Sequence, residues 1–310
     1  MALVTVRTPG MGDVTVVVVT LNAALYLERC LASVSAYPTV VVDHGSTDGT
    51  VELVRERFPQ ALLVTQENRG LAAGWNTGLD RAQGRYALLL NADAWAVDDA
   101  VVRLVTFADG RPDAAVVGPL LRNPDGSLQR SARGFPTRWR LATEYLFLRK
   151  LAPRSRALNA FYAGDFDHRS VHEAEFLMGA CLLVRRAAAE EVGLVDERFF
   201  LFNEETDWCY RFRAAGWNVL FFPGAEVVHV GGATHGGRLL HENVRSTLRF
   251  LAKHRGEAEA ERARRLLLVA LALRGLVFPG ERGRMYRRVA GWLRASSTAQ
   301  LLAARASLPR

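Results

Sequence analysis

The sequence predicts an α/β fold with a mainly parallel central sheet flanked by helices, followed by a basic helical extension. β-branched runs such as VTVVVVT at Val14–Thr20 are apolar throughout, as strands buried on both faces of a parallel sheet are. Segments of 10–15 residues with helical character alternate with these runs, and this alternation is typical of βαβ units. The 310 residues suffice for one large α/β domain with an appendage.

The first ninety residues contain four predicted strands with a helix after each of the first three. The predicted strands are Val14–Thr20, Thr39–Asp43, Ala61–Thr65 and Arg85–Leu90. The predicted helices are Ala23–Ser35, a segment that ends at Arg57, and Leu71–Gln83. Each helix is long enough to cross back over the sheet, so these strands should pair in parallel.

The second half is less regular. The prolines in Gly118–Arg138 indicate loops with short strands, Arg154–Val171 is polar and irregular, and Phe176–Val184 begins a new apolar unit. We then predict a helix at Glu204–Ala215 with Asn203 as its N-cap, short strands at Val219–Phe222 and Glu226–His229, and helices from Leu239 onward with a break near Pro279-Gly280.

Positive charge is concentrated in the C-terminal region. Residues 245–310 contain fifteen Lys or Arg and four Glu, a balance of +11, so the first 244 residues carry −3 of the total charge of +8. Such a region favours an anionic membrane surface or nucleic acid, and a solvated helical hairpin is the alternative. We predict no nucleic-acid partner, because Tyr286 and Trp292 are the only Tyr or Trp residues there and form no stacking platform.

Cysteine usage and hydropathy bear on the compartment. Cys30, Cys181 and Cys209 have neither disulfide-framework nor zinc-site spacing, which favours a reducing environment. We identify no secretory signal in the first twenty residues and no run of 18 uncharged apolar residues. We therefore expect a cytoplasmic protein without a membrane span.

The first chemically suggestive cluster is VVVDHGSTDGT, at Val40–Thr50. Asp43 ends an apolar strand, and ligands of open α/β sheets bind outside such strand ends. Gly45 and Ser46 then allow a tight turn with exposed backbone N–H groups. Asp43 could accept a hydrogen bond from a base or ribose; the alternative is an Asp–Gly turn with Asp48 as a helix N-cap.

A second cluster, LLLNAD, ends in Asn91 and Asp93. Residues two apart on an extended chain point to the same side, so both side chains can face one ligand. Their oxygen donors suit Mg²⁺ or Mn²⁺, which bridge carboxylates to diphosphates. Alternatively, the two residues simply begin a following helix.

The third cluster, FFLFNEETDWCYR, brings Glu204, Glu205 and Asp207 into the first turn of a helix. The helix dipole favours ionised carboxylates there, and one of them could take a proton from a hydroxyl. The alternative is favourable helix-start chemistry, with Asp207 paired to Arg211. A fourth cluster, EVVHVGGAT, places His229 at a strand end before glycines, where it could reach a metal or a phosphate or be merely structural.

In this order and at these distances, the four clusters resemble the inverting glycosyltransferases of family 2, with the GT-A fold, and most closely the bacterial rhamnosyltransferase-like subgroup. The resemblance covers about Val14 to Thr234 and includes NRGLAAGWNTG and FLMGACLLVRRAAAEEVGLVDERFF. LLLNAD stands where the family has its Asp-x-Asp metal motif, with Asn91 replacing the first Asp. NEETDWCYR stands at the acidic base motif, with Glu-Glu where many members have Glu-Asp.

The resemblance implies a role for each cluster. The implied catalytic base is Glu205 or, failing that, Glu204, and the implied ligands of Mn²⁺ or Mg²⁺ are Asp93 and His229. The implied nucleotide-binding residues are Thr20, Asn22, Asp43, Gly45, Ser46, Asn68, Gly70, Asn76 and Asn91. Residues 1–240 would form the catalytic domain and 241–310 the helical basic extension.

The implied reaction is transfer, with inversion, of a sugar from dTDP-rhamnose or a UDP-sugar to a hydroxyl of a glycan or polyprenyl-linked acceptor in cell-envelope polysaccharide synthesis. The enzyme would be peripheral on the inner face of the plasma membrane, and homodimerisation is left open. One alternative is a non-catalytic, membrane-associated nucleotide-sugar-binding protein. Another is a nucleotidyltransferase, although Thr20-Leu21-Asn22-Ala23 lacks the Gly-rich basic loop of that class.

Overall fold

A computed structural model describes residues 11–231 and 239–303. Its strands are β1 Val14–Thr20, β2 Thr39–Asp43, β3 Leu62–Thr65, β4 Tyr86–Leu90, β5 Ala94–Ala96, β6 Ala114–Arg122, β7 Leu128–Gln129, β8 Ala132–Arg133, β9 His172–Glu173, β10 Phe176–Leu177, β11 Cys181–Arg185 and β12 Asn218–His229. Its α-helices are α1 Ala24–Ser33, α2 Thr50–Arg57, α3 Leu71–Arg81, α4 Ala100–Asp109, α5 Arg138–Tyr145, α6 Arg186–Val192, α7 Glu204–Ala214, α8 Leu240–Arg255, α9 Glu257–Val277, α10 Gly280–Ala295 and α11 Thr298–Ala303. Short 3₁₀ helices occupy Met11–Asp13, Leu148–Lys150 and Ala160–Tyr162.

The central sheet has the strand order β3-β2-β1-β4-β11-β6-β12-β5. Its first four strands are parallel, as predicted. Beyond them the sheet is mixed, because β11 runs antiparallel to both β4 and β6, whereas β12 runs parallel to β6. The α/β class with helices on both faces is confirmed, and the parallel character belongs mainly to the N-terminal half.

Two details of the second half differ from the sequence prediction. The stretch predicted as two short strands is one strand, β12, with a register shift between Phe222 and Glu226 that the alternation of side chains does not reveal. Conversely, the apolar Phe176–Val184 segment is divided into β10 and β11, because the chain bends at Met178–Ala180.

Each face of the sheet is covered by a separate hydrophobic cluster. One contains Leu27 of α1, Val54 of α2 and Leu104 of α4. The other contains Trp75 of α3 and continues into the C-terminal helices through Leu267 of α9. The predicted boundary at residues 240 and 241 coincides with the beginning of α8, but the helices after it share a core with the sheet.

The apolar run Leu266–Phe278 lies mostly in helix α9 and is buried on one side only. Its inner face is buried at residues including Leu267 and Leu271, whereas Leu276 and Val277 are 81% and 72% exposed. None of the helices within the described residues is long and apolar enough to cross a bilayer. All three cysteines are buried and free.

Candidate active site

A cavity of about 990 Å³ lies at the carboxyl edge of the parallel strands. The strand register puts Thr20 at the end of β1 beside Asp43 at the end of β2, and β4 pairs with the other side of β1. Because parallel strands end at one edge, the segments that follow them meet there. The predicted site residues that line this cavity are Thr20, Asn22, Asn68, Gly70, Asn91, Asp93, Glu204, Glu205 and His229.

His229 and Asp93 form the most polar part of the cavity wall. The His229 Nε2 atom lies 3.3 Å from Asp93 Oδ1 and 3.3 Å from Asn91 Nδ2. On the other side of the ring, Nδ1 lies 2.7 Å from Gln129 Oε1. A carbonyl oxygen only accepts, so Nδ1 carries the ring proton. Nε2 is therefore the ring nitrogen that faces Asp93 and Asn91.

The Asp93 carboxylate is held in its ionised form. Burial by itself would raise its pKa, but hydrogen bonding and charge from His229 outweigh burial and lower the pKa. The Gly231 N–H also donates to Asp93 Oδ2 at 3.2 Å. A buried carboxylate and an imidazole nitrogen thus converge on one point.

The segment Asn91–Ala94 is a tight turn, not the extended chain that the i, i+2 argument assumed. The Ala94 N–H donates to the Asn91 carbonyl at 3.0 Å, and the chain continues into β5 instead of a helix. The pairing of β12 with β5 sets His229 opposite Ala94. Tertiary pairing therefore brings Asn91, Asp93 and His229 together.

Asp93 and His229 could hold a divalent cation only as part of a larger ligand set. In the described part of the chain, no group of three or more His, Cys, Asp or Glu side chains is arranged to bind a metal. Mg²⁺ in nucleotide sites is commonly held by one or two carboxylates together with substrate phosphates. The two side chains fit a cation that is shared with a diphosphate.

Asp43 is buried beneath the turn after β2, with 1% of its surface exposed. One of its carboxylate oxygens accepts the N–H groups of Gly45 and Ser46 at 2.9 and 3.0 Å, and the other accepts the Ser46 hydroxyl. All three residues lie outside the described cavity lining. An Asp that closes its own turn in this way shapes the backbone, in place of the direct nucleotide contact that the sequence suggested.

His44, which the sequence prediction missed, lines the cavity instead. The hydroxyl of Thr77 donates to Gln66 Oε1 at 2.8 Å, so the Gln66 amide nitrogen donates to His44 Nε2 at 3.1 Å. Burial lowers the pKa of His44 and keeps the ring neutral. The signal was its place directly after a strand end, where a neutral ring with an Nδ1–H can contact a nucleobase.

Asn22 joins the two turns at this end of the cavity. Its side-chain oxygen accepts the Thr47 N–H at 2.8 Å, and its own N–H donates to the Ser46 hydroxyl at 2.8 Å. Nearby, the Thr20 hydroxyl is buried without a hydrogen-bond partner among the described residues. This hydroxyl is therefore available to a ligand.

Of the three predicted positions in NRGLAAGWNTG, two belong to the cavity. Asn68 accepts the Gly70 N–H at 3.0 Å, and Gly70 has a φ of 101°. A Cβ atom at Gly70 would lie 2.4 Å from the Phe200 carbonyl oxygen, so only glycine permits this approach. Asn76 is corrected: its amide bonds the backbone of Val195, which holds it away from the described cavity lining.

Glu204 and Glu205 project from the beginning of α7 into the cavity wall. Each has a buried Oε2 with no hydrogen-bond partner within the described residues. Burial raises the pKa of Glu204 well above its usual value, and the charge of Glu205 adds to this. Burial also raises the pKa of Glu205, but the positive charge of Arg133 opposes the rise. Glu204 therefore keeps a proton more readily than Glu205.

Asp207 and Asn203, beside these glutamates, make contacts within the fold. Asp207 is fully buried and accepts Arg211 Nε at 3.0 Å, as the i, i+4 alternative predicted, and it also contacts Lys253 and His254. Asn203 occupies the N-cap position, but its φ is 63° and its side chain makes no capping hydrogen bond, which corrects the predicted cap. Its amide instead lies 3.4 Å from the Thr247 hydroxyl.

Arg133 is a second residue that the sequence prediction missed. It lines the cavity near Glu205, from a short strand in the region predicted to be loop-rich. The end of the HVGGAT motif, Gly232 to Thr234, lies outside the described residues, so its predicted approach to a phosphate stays a prediction.

Comparisons with known proteins agree with this geometry. The profile of Glycosyl transferase family 2 matches residues 15–193. The chain is 32% identical over 234 residues to an N-acetylglucosaminyl-diphospho-decaprenol L-rhamnosyltransferase of Mycobacterium tuberculosis, covering 69% of this chain and 75% of that protein.

Two solved structures share the fold. The crystal structure of GalNAc-T7 with UDP, GalNAc and Mn²⁺ has a TM-score of 0.56 at 17% identity, covering 94% of this chain and 56% of that one. Mannosyltransferase PcManGT from Pyrobaculum calidifontis, in complex with GDP-Man and Mn²⁺, has a TM-score of 0.53 at 19% identity, covering 91% and 85%. The family match over more than half of the sequence and the rhamnosyltransferase relative together show that the chain belongs to glycosyltransferase family 2.

Proposed function

We propose that the enzyme transfers a sugar, with inversion, from a nucleoside-diphosphate sugar to a hydroxyl of a polyprenyl-diphosphate-linked acceptor. One observation carries the proposal: the Asp93–His229 pair lines the same cavity as Glu204 and Glu205, each of which has one carboxyl oxygen without a hydrogen-bond partner among the described residues. The name of the mycobacterial relative favours dTDP-rhamnose as donor and a lipid-linked N-acetylglucosaminyl diphosphate as acceptor. A UDP-sugar is the second choice of donor.

The donor would lie along the strand ends. His44 and the turn that Asn22 closes would contact the nucleoside. Asp93 and His229 would hold Mn²⁺ or Mg²⁺ on the diphosphate, where the cation offsets the negative charge that develops on the leaving group. An ionised carboxylate and an Nε2 lone pair are suitable ligands for these cations.

Glu205 is the better candidate for the base. It is half-buried, whereas Glu204 is 3% exposed, and only Glu205 has Arg133 among the charges that lower its pKa. With the shared proton on Glu204, Glu205 can remove the proton of the acceptor hydroxyl. The hydroxyl oxygen then bonds to the anomeric carbon as the bond from that carbon to the diphosphate breaks on the opposite face, which inverts the configuration.

The outer surface of α9 favours work at a membrane. Val269, Leu273, Leu276 and Val277 are all at least 49% exposed and recur at helical spacing, and exposed Arg262 and Arg265 precede them. Apolar side chains beside arginines suit the surface of an anionic bilayer. We place the enzyme on the cytoplasmic face of the plasma membrane, in cell-envelope polysaccharide synthesis.

Membrane association can be tested on the full chain by flotation with anionic liposomes at low salt. Removing everything after about Leu251 would expose the shared core, so substitution is the cleaner test. Wild type should float, and a variant with Ser at Leu273, Leu276 and Val277 should not. Leu194→Ser, which changes a half-exposed leucine elsewhere, is the control. A wild type that stays in the soluble fraction would contradict the membrane assignment.

The function itself is tested by a thermal-shift screen of nucleotide sugars with and without Mn²⁺, followed by transfer assays. A donor stabilises the fold in proportion to the logarithm of its concentration over Kd, so the correct one should give the largest Mn²⁺-dependent shift. Asp93→Ala should lose that shift and all transfer. NMR of the product should show an inverted anomeric carbon. Mn²⁺-dependent binding without transfer to any acceptor would favour the non-catalytic alternative.

A further inference from the structure

A second cavity, of about 1480 Å³, lies among helix α5, the beginning of α8 and helix α10. We call it the α10 groove; its walls include Arg133 of β8, α5, and Arg284, Arg288 and Trp292 of α10. The two cavities meet, because Arg133, Phe161, Phe202, Asn203, Leu239 and Asn243 line both. A passage therefore runs from the carboxylates of α7 toward the C-terminal helices.

Positive charge predominates in the α10 groove. Six arginines line it, against the acids Glu144 and Glu281. Two of the arginines are already committed: Arg140 binds Glu175 through two bonds of 2.6 Å, and Arg274 donates to the backbone carbonyls at the end of α5. The positive charge of the other four arginines favours the binding of an anion in the groove.

Arg284 and Arg288 are the freest of these cations. They are exposed and one helical turn apart, so they lie on the same face of α10. Within residues 11–231 and 239–303, the side chain of neither residue makes a hydrogen bond or an ion pair. Guanidinium groups bind phosphate oxygens through paired N–H donors, which makes Arg the usual residue for phosphate recognition.

Arg133 stands where the two cavities meet. Its guanidinium lies 5.1 Å from the ring centre of Tyr162 and 5.8 Å from that of Phe161. One terminal nitrogen contacts the Met178 sulfur at 3.4 Å, and the buried Nε–H has no partner among the described residues. A cation fixed between aromatic rings with an unused donor is well placed to bind an anion next to Glu205.

Apolar side chains complete the α10 groove. Tyr145, Met285, Val289 and Trp292 line it together with the arginines. The neighbouring helix α9 carries the exposed apolar residues proposed above to contact the membrane. The α10 groove thus combines cations with apolar side chains and joins the cavity that holds the carboxylates.

We propose that the α10 groove binds the diphosphate and the first isoprenoid units of the lipid-linked acceptor. With the acceptor hydroxyl at Glu205, the diphosphate is one sugar ring away and meets Arg133, while Arg284 and Arg288 offset its remaining charge. The isoprenoid chain follows the apolar side chains toward the membrane. This inference rests on the proposed transfer to a polyprenyl-diphosphate acceptor and assigns the part of the protein that recognises it.

The test compares two acceptors with the same sugar and the same alkyl tail, one joined through a diphosphate and one through a simple ether oxygen. Assays in neutral detergent micelles keep anionic lipid out. The double variant Arg284→Gln/Arg288→Gln should lower kcat/KM for the diphosphate acceptor at least about tenfold, mainly through KM, because charge-assisted hydrogen bonds are lost. Transfer to the ether acceptor should change less than about twofold.

The matched control is Arg255→Gln/Arg294→Gln, which removes the same charge from exposed positions outside the described lining of both cavities. It should leave both acceptors unaffected. Equal losses with the two acceptors, or no loss, would overturn the proposal. A loss seen only when anionic vesicles are added would show that Arg284 and Arg288 bind membrane headgroups instead.

Direct binding separates this proposal from the proposed function. Calorimetry with farnesyl diphosphate, at saturating dTDP to fill the donor site, should show binding to wild type and at least tenfold weaker binding to Arg284→Gln/Arg288→Gln. Farnesol should bind both proteins weakly and equally. If wild type transfers sugar to neither acceptor, the transfer proposal fails, and the calorimetry still decides whether the α10 groove binds a diphosphate.

Discussion

The three carboxylates in the first turn of α7 lie in two contrasting environments. Asp207 is fully buried and in contact with three basic side chains, with Lys253 Nζ at 2.6 Å, His254 Nε2 at 2.7 Å and Arg211 Nε at 3.0 Å. Glu204 and Glu205 are directed at the cavity, and each keeps a buried oxygen without a hydrogen-bond partner in the described structure.

The difference separates a structural charge from a chemical one. Cations around Asp207 outweigh its burial and lower its pKa, so the carboxylate is ionised and its basicity is suppressed. Burial raises the pKa of both glutamates, which makes them better proton acceptors. A helix start with three acids therefore contains one residue that holds α7 to α8 and two that line the cavity.

The largest effect should follow from removing the proton acceptor. Glu205→Gln keeps the shape of the side chain but cannot take a proton, so kcat should fall about 10²- to 10⁴-fold while donor binding is retained. Single-turnover transfer and thermal shift with the donor measure the two properties. If Glu204→Gln is inactive and Glu205→Gln is active, the two roles must be exchanged; if both remain active, the acidic turn is only a helix start.

Removing the Asp207 carboxylate should lower the stability of the fold and leave the catalytic rate near normal. Asp207→Asn removes the carboxylate that Arg211 and Lys253 share and leaves Lys253 with Asp196 alone. Loss of one partner of a buried ion pair destabilises by about 3 kcal/mol. The lowered pKa of Asp207 means that wild type loses this contribution as the pH falls through that pKa, and the variant should not. Because the pKa is lowered from 3.8, the contribution should be constant above about pH 4 and decline only at lower pH, which urea unfolding between about pH 2 and 5 measures. Turnover per folded molecule should stay near normal.

The smallest effect should be a gain in stability. Because the pKa of Glu204 is raised in the folded state, its contribution to stability is greatest below the ordinary value of 4.5 and is lost as the pH rises toward the folded-state pKa. Glu204→Gln removes this loss, so urea unfolding should show the variant more stable than wild type at pH 8 and similar to it at pH 4. Equal stability at both pH values would contradict the unpaired burial of Glu204.

In the acidic turn, some features follow from the local sequence and others depend on tertiary packing. The helix, its three acids and the Asp207–Arg211 pair follow from local spacing, and all are present. Lys253 and His254 come from α8, more than forty residues later, so their pairing with Asp207 depends on how α8 packs. Spacing within a motif therefore could not show which acid is neutralised.

The end of the cavity near Asp43 also contains features that the sequence alone could not predict. The strand that ends at Asp43 was correctly predicted, yet Asp43 turns inward to close its own loop and His44 lines the cavity. Asn76 was assigned to the nucleotide because it repeats the Asn-x-Gly pattern of Asn68. In the fold, however, it clamps the backbone of Val195. Side chains one residue apart at a strand end differ in direction, and the turn geometry decides which one meets the ligand.

The sequence by itself determined the α/β class, the four N-terminal parallel strands, the family and most of the residues that line the donor cavity. These features depend on local periodicity and on motifs at strand ends, which are readable along the chain. Only the tertiary structure decided the use of the basic C-terminal region. Arginines four apart on a helix look like a solvated face, but α9 packs against α5 and α10 packs against α9, so Arg284 and Arg288 line a groove that adjoins the cavity at the strand ends. The physical reason is that periodicity specifies which face of a helix is polar, whereas the surface opposite that face is set by long-range packing.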